Sequence, residues 1–139
     1  MIDIPSELRP QVERRLSAEY FAWLTTVGKD LTPQPRPIWF VWDDGTFLIY
    51  SQPKAHKVRH IRQHPRVAVH FNADATGDNQ ILVFLGDARI DPDAPPAHQM
   101  PAYLEKYRDG IRGLNMTPEE MARDYAVAIR VSVTSVRGW

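Results

Sequence analysis

The densest run of side chains able to hold or move charge is Ser51-Gln52-Pro53-Lys54-Ala55-His56-Lys57-Val58-Arg59-His60-Ile61-Arg62. Gln52-Pro53 reads as a helix start, which puts Lys54 and Lys57 in the first turns of that helix. Free N–H groups and the positive end of the helix dipole already favour an anion there. A lysine at that end has the wrong sign, costing roughly a few tenths of a kcal/mol unless an anion offsets it. The pair therefore points to a phosphate seat. A solvated basic helix face is the alternative, and Arg59, Arg62 and His64 are assigned to it.

A second constellation is Thr32-Pro33-Gln34-Pro35-Arg36-Pro37-Ile38-Trp39. Alternating prolines cannot all donate to a ladder, so this stretch belongs at a sheet edge, a bulge or a cleft. Such a strand has open backbone groups and could read the polar edge of a planar heterocycle. It could equally be protection against unwanted strand pairing. Both readings stay open on these residues alone.

Other chemistries find little support. His56, His60 and His64 are spaced to share one helix face, but no carboxylate in that helix completes a metal set. No metal site is expected, and the stripe reads as solvent-facing. Asp74, Asp78, Asp87, Asp91 and Asp93 fall in loops or strand ends, where turn formation accounts for them. There is no Gly-x-Ser-x-Gly elbow, no Gly-x-Gly-x-x-Gly and no P-loop. Any demanding chemistry would have to come from a cofactor. The catalytic residues are not identified.

The 139 residues suit one domain, 1–139, and 43% hydrophobic content with four Trp, five Tyr and five Phe supplies a core. Seventeen basic and seventeen acidic residues balance, which speaks against a nucleic-acid partner. With no Cys, thiol nucleophiles, disulfides and Cys-ligated metals are excluded. The opening MIDIPSELRP lacks a signal-peptide core and no run is long enough to span a bilayer. The expected location is cytoplasmic, with no membrane partner.

The elements that would position these residues follow from periodicity. Leu8, Val12 and Leu16 mark a helix over Ser6–Ala18, with Pro10 tolerable only in its first turn. Strands are expected at Tyr20–Val27, Gln34–Trp42, Thr46–Ser51, Arg66–Phe71, Gln80–Ile90 and Tyr125–Val133. Asp43-Asp44-Gly45 signals a tight hairpin. Ala55, Val58 and Ile61 mark a short helix ending before Pro65. Tyr103 and Tyr107 pair on a further helix, and Thr117-Pro118-Glu119-Glu120 opens another. Six twisted, mostly antiparallel strands close economically into a small barrel.

In order and content, several segments resemble the pyridoxamine 5′-phosphate oxidase-like superfamily. They are Ala22–Thr26, Pro33–Phe40, Leu48–Ser51 through Lys57 and Arg62 to Val67, Pro101–Tyr107 and Val136–Trp139. The chain looks most similar to the small branch that uses the deazaflavin coenzyme F420. The resemblance implies a mainly β (α+β) fold: a six-stranded antiparallel split β-barrel with short flanking helices. It also implies a homodimer with cofactor at the interface.

By that resemblance the strand Gln34, Pro35, Arg36, Pro37 to Trp39 lies along the ring, and Ser51, Lys54 and Lys57 hold the phosphate. Tyr50, His60 and Trp139 complete the candidate cofactor residues. His60 stands where the family often has an amide side chain, and Trp139 would cover the partner's ring or pack the dimer. The implied activity is hydride transfer between reduced F420 and a small unsaturated or conjugated acceptor. Tyr50, Trp39 or a water would be the proton donor. An FMN-dependent oxidoreductase and a non-catalytic flavin or deazaflavin carrier are the alternatives.

Overall fold

Alternating apolar residues set the sheet, and long-range side chains set its breaks. The computed structural model describes residues 4–73 and 81–139; Gln80, Asp74 and Asp78, named above, lie outside them. In chain order the elements are α1 (Arg9–Ala18), β1 (Phe21–Val27), β2 (Pro33–Trp39), β3 (Val41–Asp43), β4 (Thr46–Ser51), α2 (His56–Gln63), β5 (Arg66–His70), β6 (Leu82–Ile90), a 3₁₀ turn (Ala97–Gln99), α3 (Pro101–Gly113), α4 (Pro118–Asp124) and β7 (Val127–Gly138).

Seven strands replace the six expected, because Gln34–Trp42 is not one strand. Phe40 interrupts it. The Phe40 N–H donates to the Tyr107 hydroxyl at 2.8 Å, and its carbonyl accepts from Lys106 Nζ at 2.8 Å. With its peptide groups taken by α3, Phe40 leaves the ladder and β3 starts anew at Val41. Alternation fails at the same point: Phe40 and Val41 are both buried, and Trp42 is exposed.

All strand pairs are antiparallel, in the order β2-β1-β5-β6-β7-β4-β3. The two ends of this order, β2 and β3, are separated in the chain by Phe40 alone. One residue spans only about 3.5 Å, so the sheet must curl until its ends meet. The outcome is a half-barrel. Its interior holds Leu24, Phe40, Phe47, Phe84 and Ile129, with α1 packed on it through Val12 and Leu16. A second core lies outside the curl, where Val41, Leu48, Tyr50 and Ala128 meet Tyr103, Tyr107, Ile111 and Met121 of α3 and α4. Every residue of β4 is buried because the strand contributes to both cores.

Local signals act as their chemistry requires. Asp44 and Gly45 both have positive φ, 51° and 73°, giving the tight β3–β4 turn. Thr117 caps α4 reciprocally with Glu120, and Pro10 falls in the first turn of α1. β7 runs on to Gly138, past the expected end at Val133, since β6 pairs with it up to that residue. Arg130 of β7 is buried and fully matched: its Nε meets Asp91 Oδ2 at 2.7 Å, and its Nη1 meets Asp43 Oδ2 at 3.0 Å and Thr46 Oγ1 at 3.1 Å. Asp91 therefore does more than form a turn. Among the described residues no helix is long and apolar enough to cross a membrane.

Candidate functional site

β2 is a terminal strand that pairs on one side only, with β1. In a strand, the N–H and C=O of one residue point to the same edge and those of the next to the other. The intervening Gln34, Arg36 and Ile38 can therefore serve the β1 ladder, while Pro33, Pro35 and Pro37 turn their N–H-less backbone outward. The outer rim carries carbonyl acceptors and, at Trp39, an N–H. Arg36 Nη1 donates to the Pro35 carbonyl at 2.8 Å, as an outward-facing carbonyl permits.

Two clefts flank this rim. The first, about 380 Å³, is walled by Pro37, Ile38 and Trp39 of β2, Tyr50 of β4 and Lys57 of α2. Tyr103 and Met121 come from the outer helices, Tyr125 follows α4, and Phe21 and Leu114 form an apolar rim. Trp39 is stacked on Tyr107, centroids 4.5 Å apart and planes 5° from parallel. α3 approaches that indole closely because residue 110 is glycine: a Cβ there would lie 2.9 Å from the Trp39 ring. The second cleft is polar, lined by Gln34 and Arg36 of β2, Lys29 and Asp30 of the β1–β2 turn, and His56, Arg59 and His60 of α2.

Electrostatics distinguish this area. Lys57 is half-buried, and burial lowers its pKa, with Arg36 adding to the effect. Among the described residues no carboxylate forms an ion pair with Lys57, Arg36, Arg59 or Lys29. Asp30, the acidic group of the polar cleft, accepts the Thr32 N–H at 3.0 Å, and that bond holds its carboxyl below the usual range. The cations beside β2 thus face one another, with an acidic neighbour already engaged in its own turn. Arg59 uses a guanidinium nitrogen on His56 Nδ1 at 2.7 Å.

His60 overturns its solvent-facing assignment. It is buried, with Nδ1 2.9 Å from the Thr26 hydroxyl, and burial together with Arg59 lowers its pKa. The contact comes from β1, thirty-four residues away, and α2 spacing alone cannot show it. Tyr50 donates its hydroxyl proton to the Pro95 carbonyl at 2.6 Å, and burial pushes its pKa up to about 12. It stays a neutral phenol with its proton committed.

The structure brings Pro37, Trp39, Tyr50 and Lys57 together in one cleft and Gln34, Arg36 and His60 in the other. Pro35 lies on β2 between them. Lys54 departs from its expected position: α2 begins at His56 with Ala55 as its N-cap, so Lys54 precedes the helix, exposed, and only Lys57 sits in the first turn. Ser51 is buried and donates to the Gln52 carbonyl at 3.0 Å. Trp139, 69% exposed, pairs its backbone with Ile81 and lines neither cleft. Phe21, Tyr103, Leu114, Met121 and Tyr125 were not foreseen as site residues. The pairing of Tyr103 with Tyr107 was visible in the sequence, but not the surface they would cover.

Comparison with known proteins adds the family. A model described as pyridoxamine 5′-phosphate oxidase matches residues 8–139. No curated protein matches the chain. Among solved structures, a conserved hypothetical protein of Mycobacterium tuberculosis superposes with a TM-score of 0.73 at 20% identity, covering 99% of this chain and 86% of that one. A structure named F420 reductase gives 0.67 at 27% identity, covering 90% and 94%. A FAD-binding protein of Mesorhizobium loti gives 0.67 at 19%, covering 91% and 89%.

Proposed function

Because the chain belongs to the pyridoxamine 5′-phosphate oxidase family, we propose that the aromatic cleft seats the ring of a phosphate-bearing flavin-type cofactor, coenzyme F420 in the first instance. The observation that carries this reading is Lys57: a half-buried ammonium beside Arg36 with no carboxylate partner among the described residues. Such a group gains most from an anion supplied from outside. The cleft's volume falls within the range of about 300–1,000 Å³ typical of small-molecule sites, and its walls are chiefly aromatic and apolar.

F420 is favoured over FMN on two grounds. Its tail carries a phosphodiester and acidic glutamates, and the polar cleft continues the basic character through Arg36, Lys29, His56 and Arg59. One similar structure bears the name F420 reductase. FMN is the second reading, supported by the family match itself.

When bound, the deazaflavin supplies hydride chemistry to a small unsaturated or conjugated acceptor. The chain's own work is positional. The outward carbonyls of β2 and the Trp39 N–H would be the groups available to the ring, Trp39 and Tyr103 would wall its cleft, and Lys57 and Arg36 would hold the phosphate. Water is excluded by Ile38, Met121 and Tyr125. The exposed apolar rim of Phe21 and Leu114 supports a second copy of the chain as the missing wall, and thus a homodimer.

The test is spectroscopic. Titrating the pure protein with FMN and with F420, and following absorbance and fluorescence, is expected to show saturable binding with tighter affinity for F420. Reduced F420 should then be oxidised when enones or quinones are added. Binding without oxidation across the panel would favour the carrier, and binding of neither cofactor would overturn the assignment.

A further inference from the structure

Tyr103, Tyr107, Gly110 and Leu114 follow one another at helical spacing and share one face of α3 and its C-cap. Tyr103 and Leu114 line the aromatic cleft beside β2. Tyr107 is fully buried, and its hydroxyl accepts the Phe40 N–H at 2.8 Å and donates to the Tyr20 carbonyl. Held by those two bonds, its ring gives one face of the Trp39 indole a fixed backing, centroids 4.5 Å apart. Gly110 meets the edge of the same indole. A Cβ there would lie 2.9 Å from Trp39 Cη2 and 3.1 Å from Cζ2, and would also meet the Tyr20 hydroxyl. Glycine weakens a helix interior. Among the described residues the glycine with positive φ is Gly45, so backbone conformation does not call for glycine at 110. The room taken by the indole does.

We propose that Gly110 is the positioning residue for the Trp39 wall and so sets how wide a planar ring the aromatic cleft admits, an inference that rests on reading that cleft as a ring site. Carbon atoms rest about 3.5–4.0 Å apart, so a side chain at 110 has to displace the indole by roughly 0.5–1 Å. Tyr107, bonded to two backbone groups, blocks retreat on one face, and the open space beside the indole is the cleft. Tyr20 is exposed and can swing its hydroxyl aside, so the contact that persists is the one with Trp39. Neither Lys57 nor Arg36 is among the atoms that a Cβ at 110 would first meet. The loss therefore falls on the ring and not on the phosphate.

The test compares Gly110→Ala with wild type on FMN and on lumichrome, the tricyclic ring without ribityl chain or phosphate. Both ligands should lose about tenfold or more in affinity, by the same factor, as expected for one methyl too many in a fitted pocket. In a Trp39→Phe background, where the smaller ring leaves room, the same substitution should cost less than about twofold. Tyr20→Phe should not rescue it. A second readout needs no ligand. With fluorotryptophan incorporated, the four tryptophans give four fluorine resonances, and Trp39→Phe identifies that of Trp39. That resonance should move in Gly110→Ala while the other three hold. An unmoved Trp39 resonance, or equal losses with and without Trp39, would overturn the proposal. Should Gly110→Ala fail to fold, adding Trp39→Phe must restore folding, or the proposal falls. Failure of the wild type to bind either ligand is a failure of the cofactor reading instead, and the fluorine resonance then decides the role of Gly110 by itself.

Discussion

Arg130 and Lys57 are both drawn out of bulk water, one where β7 meets the β3–β4 hairpin, the other between β2 and α2. Arg130 meets Asp91, Asp43 and the Thr46 hydroxyl within 3.1 Å. Lys57 meets Arg36, a like charge. Charge burial satisfied from within the chain is a device of the fold. Burial left unbalanced destabilises the empty protein and is retained only where something from outside completes it. The two sites should therefore respond in opposite ways to the same kind of substitution.

Arg130→Ala is expected to have the largest effect on the protein itself. It leaves Asp91 with only Arg89 at 3.8 Å and the Asp93 N–H among the described residues, takes the guanidinium from Asp43, and should cost about 3 kcal/mol in denaturant unfolding. A loss below the error of such a measurement would mean that the cluster is ornamental. Acid should expose the same dependence. Arg130 holds the Asp91 carboxyl below the usual carboxylate range. A carboxyl whose folded pKa is depressed contributes stability above its unfolded value, and that contribution fades as pH falls through the folded one. Unfolding curves through the acid range should show this loss in the wild type and not in Asp91→Asn.

Lys57→Ala inverts the pattern. Cofactor affinity should fall about tenfold or more, a charge-assisted phosphate contact being worth roughly 1.5–3 kcal/mol. Stability without cofactor should hold or rise slightly. The lowered pKa of Lys57 means that folding works against its protonation, so removing the amine relieves a cost. A destabilised apo-protein with unchanged affinity would erase the contrast with Arg130.

The smallest effects lie at the surface. Arg36 is exposed and solvent-screened, so Arg36→Ala should weaken binding by about threefold, less at high salt. Lys54→Ala, outside α2 and exposed, should change it by less than about twofold. Titrations of both variants at two ionic strengths would rank them.

What could be read from the sequence was local. The Asp44-Gly45 turn, the Thr117 cap and Pro10 in a first turn need only neighbouring residues, and they form as expected. The break at Phe40 could not be read, because its cause is Tyr107 and Lys106, more than sixty residues on. His60 was misassigned for the same reason, since the Thr26 hydroxyl that receives it is on another strand. In the candidate site, the proline rim and Lys57 carry their own signals. The aromatic walls from α3 and α4 do not, because helix periodicity says which face is apolar and not what lies opposite.

The most direct measurement removes the phosphate from the ligand and the ammonium from the protein in one cycle. Calorimetric titration would compare FMN with riboflavin, and F420 with its tail-less deazariboflavin, on wild type and on Lys57→Ala. Losing the phosphate should cost the wild type about tenfold or more in affinity and the variant far less. An equal loss in both proteins would contradict the assignment of the phosphate to Lys57.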